Sequence, residues 1–121
     1  MDNNFKVRYS LACEEYYARQ QMITSIAKLR PQYECVAEAD DLQGLEHCID
    51  VNPDLIFTDT HLSDGFTPQF LQSINCRVPM VFISSSNEYI PLTTGLNIVS
   101  YTLKPLSDSQ LSNIINCFEA R

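Results

Sequence analysis

The chain has 121 residues, 45% of them apolar, with 8 Lys and Arg against 15 Asp and Glu and a formal charge of −7. That length supports one domain, residues 1–121, with its own core, so folding requires neither a disulfide framework nor a structural metal. The acidic balance and the scatter of the basic residues exclude unaided nucleic-acid binding, which needs clustered Lys and Arg.

In chain order, Phe5 to Leu11 alternates and predicts a strand, with Lys6 and Arg8 placed at its exposed N-terminal end. Met22, Ile26 and Leu29 follow at helical spacing, then a short bounded strand from Tyr33 to Glu38, then a second helix on Leu42, Leu45 and Ile49. Leu55-Ile56-Phe57 predicts the third strand, and Thr67 as N-cap with Pro68 in the first turn starts a third helix bearing Phe70 and Ile74. Met80 to Ile83 is the fourth strand. Between Glu88 and Thr94, Pro91 and the following Gly95 admit only a short helix. Ile98 to Leu103 is the fifth strand, and Ser107-x-x-Gln110 forms a capping box before the stripe Leu111, Ile114, Ile115 and Phe118. The last three strands are near-continuous apolar runs and read as buried on both faces.

Five strands each followed by a helix require parallel pairing with right-handed crossovers. The expected fold is α/β, a flavodoxin-like (βα)5 doubly wound sandwich with a five-stranded parallel sheet of order 2-1-3-4-5. No apolar run approaches the ~20 residues of a membrane span, and the segment from Met1 to Phe5 lacks a signal-peptide layout, so the expected compartment is cytoplasmic, with no membrane partner. Cys13, Cys35, Cys48, Cys76 and Cys117 are odd in number and irregularly spaced, without Cys-x-x-Cys, and are expected as reduced, mostly buried thiols.

In such a sheet the ligand crevice lies beyond the carboxyl ends of the strands. Cys13-Glu14-Glu15 follows the first strand, Thr58-Asp59-Thr60-His61 the third, Ser84-Ser85-Ser86 the fourth and Lys104-Pro105 the fifth. Carboxylates, a hydroxyl and an ammonium would converge there, a hard-oxygen set suited to Mg²⁺ together with phosphoryl oxygens, with Asp59 as candidate nucleophile.

Across Phe5 to Phe118 the sequence resembles the receiver domain of two-component response regulators. Pro53-Asp54-Leu55-Ile56-Phe57-Thr58-Asp59 resembles the phosphoacceptor strand, Ser84 lies 25 residues after Asp59, and Lys104-Pro105 begins 20 residues after Ser84. Asp59 to Gly65, Asn87-Glu88-Tyr89 and Tyr101-x-x-Lys104-Pro105 resemble the subgroup that carries a LytTR-type DNA-binding domain after the receiver. Such an output domain would lie outside these 121 residues, and DNA would be contacted only through it.

The resemblance implies that a sensor histidine kinase transfers a phosphoryl group to Asp59, with Mg²⁺ held by Glu14, Asp59 and the backbone carbonyl of His61, and with Glu15 as a weaker candidate. It implies Lys104 and Ser84 as phosphoryl-binding groups and Tyr101 as the aromatic switch. The output would be transcription regulation, by a population shift at the face of the fourth helix, fifth strand and last helix, which is also a possible homodimer surface. Such a domain is a phosphoprotein, not an enzyme, although it assists its own phosphorylation and dephosphorylation.

One departure stands out. The family usually has two adjacent aspartates after the first strand; anchored on Ala18-Arg19, these positions hold Cys13 and Glu14. A thiol is a poor ligand for a hard ion, and glutamate sets its carboxylate one methylene further out, so a pseudo-receiver acting through protein interaction alone is the alternative. A Mg²⁺-dependent phosphatase would need a second acid that Asp59-Thr60-His61 does not supply; the sequence shows no catalytic partner at suitable spacing for His61 as a base, and His47, inside the second helix, is the weaker candidate of the two. A flavodoxin-type cofactor binder would need a phosphate loop where Glu14 and Glu15 stand.

Overall fold

Two-residue alternation in the strands divides the core into two layers, one on each face of a single sheet. The computed structural model describes residues 6–85 and 95–121. Its elements are β1 (Val7–Ala12), α1 (Tyr16–Leu29), β2 (Tyr33–Ala39), α2 (Leu42–Asp50), β3 (Leu55–Asp59), a hairpin of β4 (His61–Leu62) with β5 (Gly65–Phe66), α3 (Thr67–Ser73), β6 (Met80–Ser84), β7 (Ile98–Leu103) and α4 (Asp108–Glu119). The main sheet runs β2-β1-β3-β6-β7 with all four pairings parallel. Leaving out the small hairpin, this is the expected order 2-1-3-4-5. The short helix expected between Glu88 and Thr94 lies outside the described residues.

Odd-numbered residues of β1, β3 and β6, such as Leu11, Phe57 and Val81, pack with Ile26 of α1 and Leu111 and Ile115 of α4. Even-numbered ones, such as Ile56 and Phe82, pack with Leu45 and Cys48 of α2 and Leu71 of α3. Each such apolar side chain contributes about 1.5–3 kcal/mol when fully removed from water. Tyr9 and Phe57 meet edge to face at 5.7 Å on the α1–α4 side.

Arg8 interrupts the apolar run of β1 where expected, exposed at its N-terminal end. Its guanidinium donates to the carbonyls of Val51 and Asn52 at 3.0 and 2.9 Å, satisfying orphan acceptors beyond the end of α2. Asn52 and Asn75, with φ of 57° and 54°, follow the ends of α2 and α3 in the left-handed region that asparagine tolerates. The Ser107–Gln110 capping box forms in both directions, at 3.1 and 2.9 Å. No disulfide forms among the five cysteines; Cys13, Cys48 and Cys76 are buried, Cys35 is intermediate and Cys117 is exposed. Among the described residues, no helix is long and apolar enough to cross a membrane.

Three expectations need correction. Thr67 is not the N-cap of α3: Phe66 holds that position, and Thr67 lies one residue inside, buried, with its Oγ1 lacking a hydrogen bond. Its amide instead donates to the Thr60 carbonyl at 2.9 Å, drawing the helix start against the end of β3. Within α3 Thr67, Pro68 and Leu71 are buried, whereas Ile74 lies past the helix end at Ser73, in the C-cap position, and is exposed. Finally, β7 is not buried on both faces: among the described residues it is an edge strand paired with β6 alone, and Tyr101 and Leu103 are 39% and 37% exposed.

Candidate functional site

Parallel pairing brings the carboxyl ends of β1, β3, β6 and β7 to one edge of the sheet, and main-chain hydrogen bonds continue the ladder one residue past the strands. Thr60 donates to the Ile83 carbonyl at 3.0 Å and Lys104 to the Ser84 carbonyl at 2.8 Å. Asp59 and Lys104 are thereby set facing each other across β6, with the Lys104–Pro105 peptide cis.

Asp59 ends β3 and is 5% exposed. Its Oδ2 accepts from the Glu14 amide at 3.1 Å. Its Oδ1 is buried without a directed hydrogen bond, and its charge is met by Lys104 Nζ at 3.0 Å. Burial disfavours the Lys104 ammonium, but the Asp59 carboxylate, with smaller help from Cys13 and Glu15, outweighs burial and holds Lys104 above the ordinary lysine pKa. The site therefore keeps a fixed positive charge beside its most buried carboxylate.

Asp59 stands between two cavities. A cleft of about 460 Å³ is lined by Glu14, Glu15, Asp59, Thr60, His61 and Lys104, with Ile83 and Ser85. A groove of about 630 Å³ between α1 and α4 is lined on its apolar floor by Met22, Ile83 and Leu111, with Cys13 and Asp59 at its end. Burial first, and then the Asp59 carboxylate, push the Cys13 thiol above its ordinary pKa despite the opposing Lys104 charge, which keeps it protonated.

Of the residues singled out in the sequence, Glu14, Glu15, Asp59, His61 and Lys104 gather on the cleft. Ser84 does not line it: this serine is 2% exposed at the end of β6, and Ser85 supplies the wall. Tyr101 is also off the cleft, 39% exposed on β7 and in register with Phe82. The His61 ring rests on Phe66 at 4.8 Å, with Nδ1 3.3 Å from Thr60 Oγ1.

The fold is shared with solved receiver domains. The response regulatory domain of mrkE from Klebsiella pneumoniae superposes with a TM-score of 0.77 at 24% identity, covering 94% of this chain and 99% of that one. The receiver domain of NarL from Mycobacterium tuberculosis gives 0.76 at 20% identity, covering 96% and 98%. Among curated relatives, the sensory transduction protein LytT of Enterococcus faecalis is 30% identical over 106 residues, 84% of this chain and 43% of that protein. A response regulatory protein of Vibrio cholerae is 32% identical over 107 residues, 85% of this chain and 41% of that protein. By fold and by sequence, this chain is a response-regulator receiver domain. No protein-family model matches it. The receiver spans less than half the length of these curated relatives.

The donor set of the receiver's cleft suits the expected Mg²⁺. Glu14, Glu15 and Asp59 border it with hard oxygens, and Asp59 Oδ1 is a buried acceptor without a directed donor. Among the described residues no group of three or more His, Cys, Asp or Glu side chains is placed to hold a metal. One or two carboxylates with water completing the shell is the coordination Mg²⁺ favours. Glu14, Asp59 and the His61 carbonyl would hold it, with Glu15 at the rim.

Two residues around the receiver's site have partners that the local sequence does not signal. Arg19 is a single basic residue on the first turns of α1, yet its Nη1 donates to the Cys13 carbonyl at 2.6 Å and its Nε pairs with Glu38 Oε1 at 2.9 Å. Asp64 accepts from the Leu42 amide at 2.7 Å, tying the loop after Asp59 to the start of α2. It belongs to the Asp59–Gly65 stretch that resembles the LytTR-type subgroup, but that resemblance does not name a partner 22 residues away.

Proposed function

We propose that this receiver takes a phosphoryl group from a sensor histidine kinase onto the Asp59 carboxylate, in the presence of Mg²⁺. Within a longer protein it would switch transcription through a LytTR-type DNA-binding domain. The observation that carries this reading is the Asp59–Lys104 pair, 3.0 Å apart at the wall of an acidic cleft.

In the transfer, the bond between phosphorus and the kinase imidazole nitrogen breaks as a bond to an Asp59 oxygen forms, and the nitrogen keeps the electron pair. Lys104 supplies positive charge to the phosphoryl oxygens, where positioning and charge neutralisation provide most of the rate gain. The Glu14 amide holds Oδ2 and so orients the carboxylate. Mg²⁺ would neutralise further phosphoryl charge. Ser84 is the expected hydroxyl partner of the phosphoryl group and Tyr101 the aromatic switch; both would have to change their surroundings on phosphorylation, since neither lines the cleft. The family resemblance at Asp59–Gly65 and Tyr101–Lys104, together with the LytT relative, supports the transcriptional output. The exposed Tyr101 and Leu103 of β7 are consistent with a homodimer surface there.

The second reading, a pseudo-receiver that works by protein interaction alone, is favoured by Cys13, a buried protonated thiol at a position where the family usually has aspartate. A thermal shift with Mg²⁺ and beryllofluoride, an aspartyl-phosphate mimic, separates the two, because a ligand of the native state raises the midpoint. Stabilisation that needs both Mg²⁺ and Asp59 supports phosphoacceptance, and its absence, or its persistence in Asp59→Asn, overturns it.

A further inference from the structure

The Asp59 carboxylate is held by a peptide group that is itself held. The peptide between Cys13 and Glu14 gives its N–H to Asp59 Oδ2 at 3.1 Å and receives Arg19 Nη1 on its carbonyl oxygen at 2.6 Å. The two ends of a trans peptide point in opposite directions within one plane, so fixing the carbonyl aims the N–H. A charged donor on the carbonyl also polarises the group and strengthens its N–H as a donor.

The guanidinium is fixed in its turn. Nε bonds Glu38 Oε1 at 2.9 Å, that oxygen also accepts from Gln20 at 2.7 Å, and the guanidinium carbon lies 5.5 Å from the centroid of the Tyr16 ring. The Arg19 side chain is 12% exposed. A helix-surface arginine paired only for solubility would keep its charge in water and would have no main-chain acceptor in the preceding loop. A connected path therefore runs from Glu38 on β2 through Arg19 and one peptide to the carboxylate at the end of β3.

We infer that Arg19 is a positioning residue for Asp59, acting through the Cys13–Glu14 peptide, and that it sets how readily Asp59 receives a phosphoryl group or its mimic. The second half rests on the phosphoacceptor reading above; the first half does not.

Amide hydrogen exchange on the whole chain tests the first half, with the Ile56 amide, bonded to the Pro79 carbonyl at 2.9 Å, as the core reference. In Arg19→Met the Glu14 amide should exchange faster by on the order of tenfold while Ile56 is unchanged. Arg19→Lys can still donate to the Cys13 carbonyl and should retain most of the protection. Unchanged Glu14 protection in Arg19→Met, or equal loss at Ile56, overturns the inference. Beryllofluoride binding with Mg²⁺ tests the second half: Arg19→Met should weaken it by roughly tenfold, the usual scale for a lost orienting partner, with rescue by Arg19→Lys. Full-strength binding in Arg19→Met overturns that half. Absence of binding in the unaltered chain overturns the phosphoacceptor reading and this second half with it, and leaves the exchange result to decide the positioning role.

Discussion

Lys104 Nζ stands 3.0 Å from Asp59 Oδ1, although β6 lies between the strands that deliver them. The dependence is unequal, since the carboxylate side chain is 7% exposed and the lysine side chain 36%. The ammonium can recover water, whereas the carboxylate without it would keep the Glu14 amide and the neutral Cys13 thiol, and no positive charge, beside it.

Lys104→Met should therefore lower stability by about 1–3 kcal/mol, the cost of a buried polar group left short of a partner. Adding Asp59→Asn should recover most of the loss, because a neutral amide needs no counter-charge. Urea denaturation of the four proteins of this cycle checks it; equal additive losses would show that solvent already screens the pair. The raised Lys104 pKa gives the sign of the pH dependence: the pair's contribution is complete below the ordinary lysine value of 10.5 and is lost as pH rises through the folded value.

A second pair sets the acid limb. Arg30 bonds both oxygens of Glu119, at 2.9 and 3.0 Å, and the Tyr33 hydroxyl donates to Oε2 at 2.6 Å, joining the turn after α1 to the end of α4. The Arg30 hydrogen bonds, with help from Tyr33 and against burial, hold Glu119 below its ordinary pKa of 4.5. Stability from this group is present above that value and is lost as pH falls through the folded pKa. Glu119→Gln should cost about 1 kcal/mol at pH 7, a Tm loss of roughly 4 °C. The gap between the two proteins should close in acid, and a gap that stays constant down to pH 3 would contradict the assignment.

At Gly44 α2 lies close against Ala39 at the end of β2. A Cβ there would stand 2.8 Å from the Ala39 Cβ and 3.1 Å from Asp41 Oδ1, the atom that caps α2 by accepting from the Gly44 amide. Alanine would gain about 1 kcal/mol of helix propensity but would press on a strand methyl that has no rotamer to yield, at about 1–3 kcal/mol. Gly44→Ala should be destabilising on balance, by about 1 kcal/mol in urea denaturation. A gain in stability would mean that α2 can move outward freely.

The strands and helices were legible because their signals are local. Leu55-Ile56-Phe57 carries a strand, and Ser107 to Gln110 a cap, in adjacent residues. Where the local signal misleads, a partner outside the element itself intervenes. Thr67 has the chemistry of an N-cap, but its amide is taken by Thr60, which moves the helix start back to Phe66. Ile98 to Leu103 has the composition of a buried strand, yet it lies at an edge, and composition does not report how many neighbours a strand has.

For the site, sequence alone determined which residues follow the apolar runs, and parallel pairing then brings Asp59 and Lys104 to one edge of the sheet. The tertiary structure decided what register and burial control: that Ser85 and not Ser84 lines the cleft, that Cys13 faces the α1–α4 groove, and that Arg19 reaches back to the Cys13 carbonyl. The physical reason is range. Periodicity is set by backbone geometry within a few residues, whereas the partner of a long polar side chain is set by where the sheet places elements that are remote in sequence, as with Arg30 and Glu119, 89 residues apart.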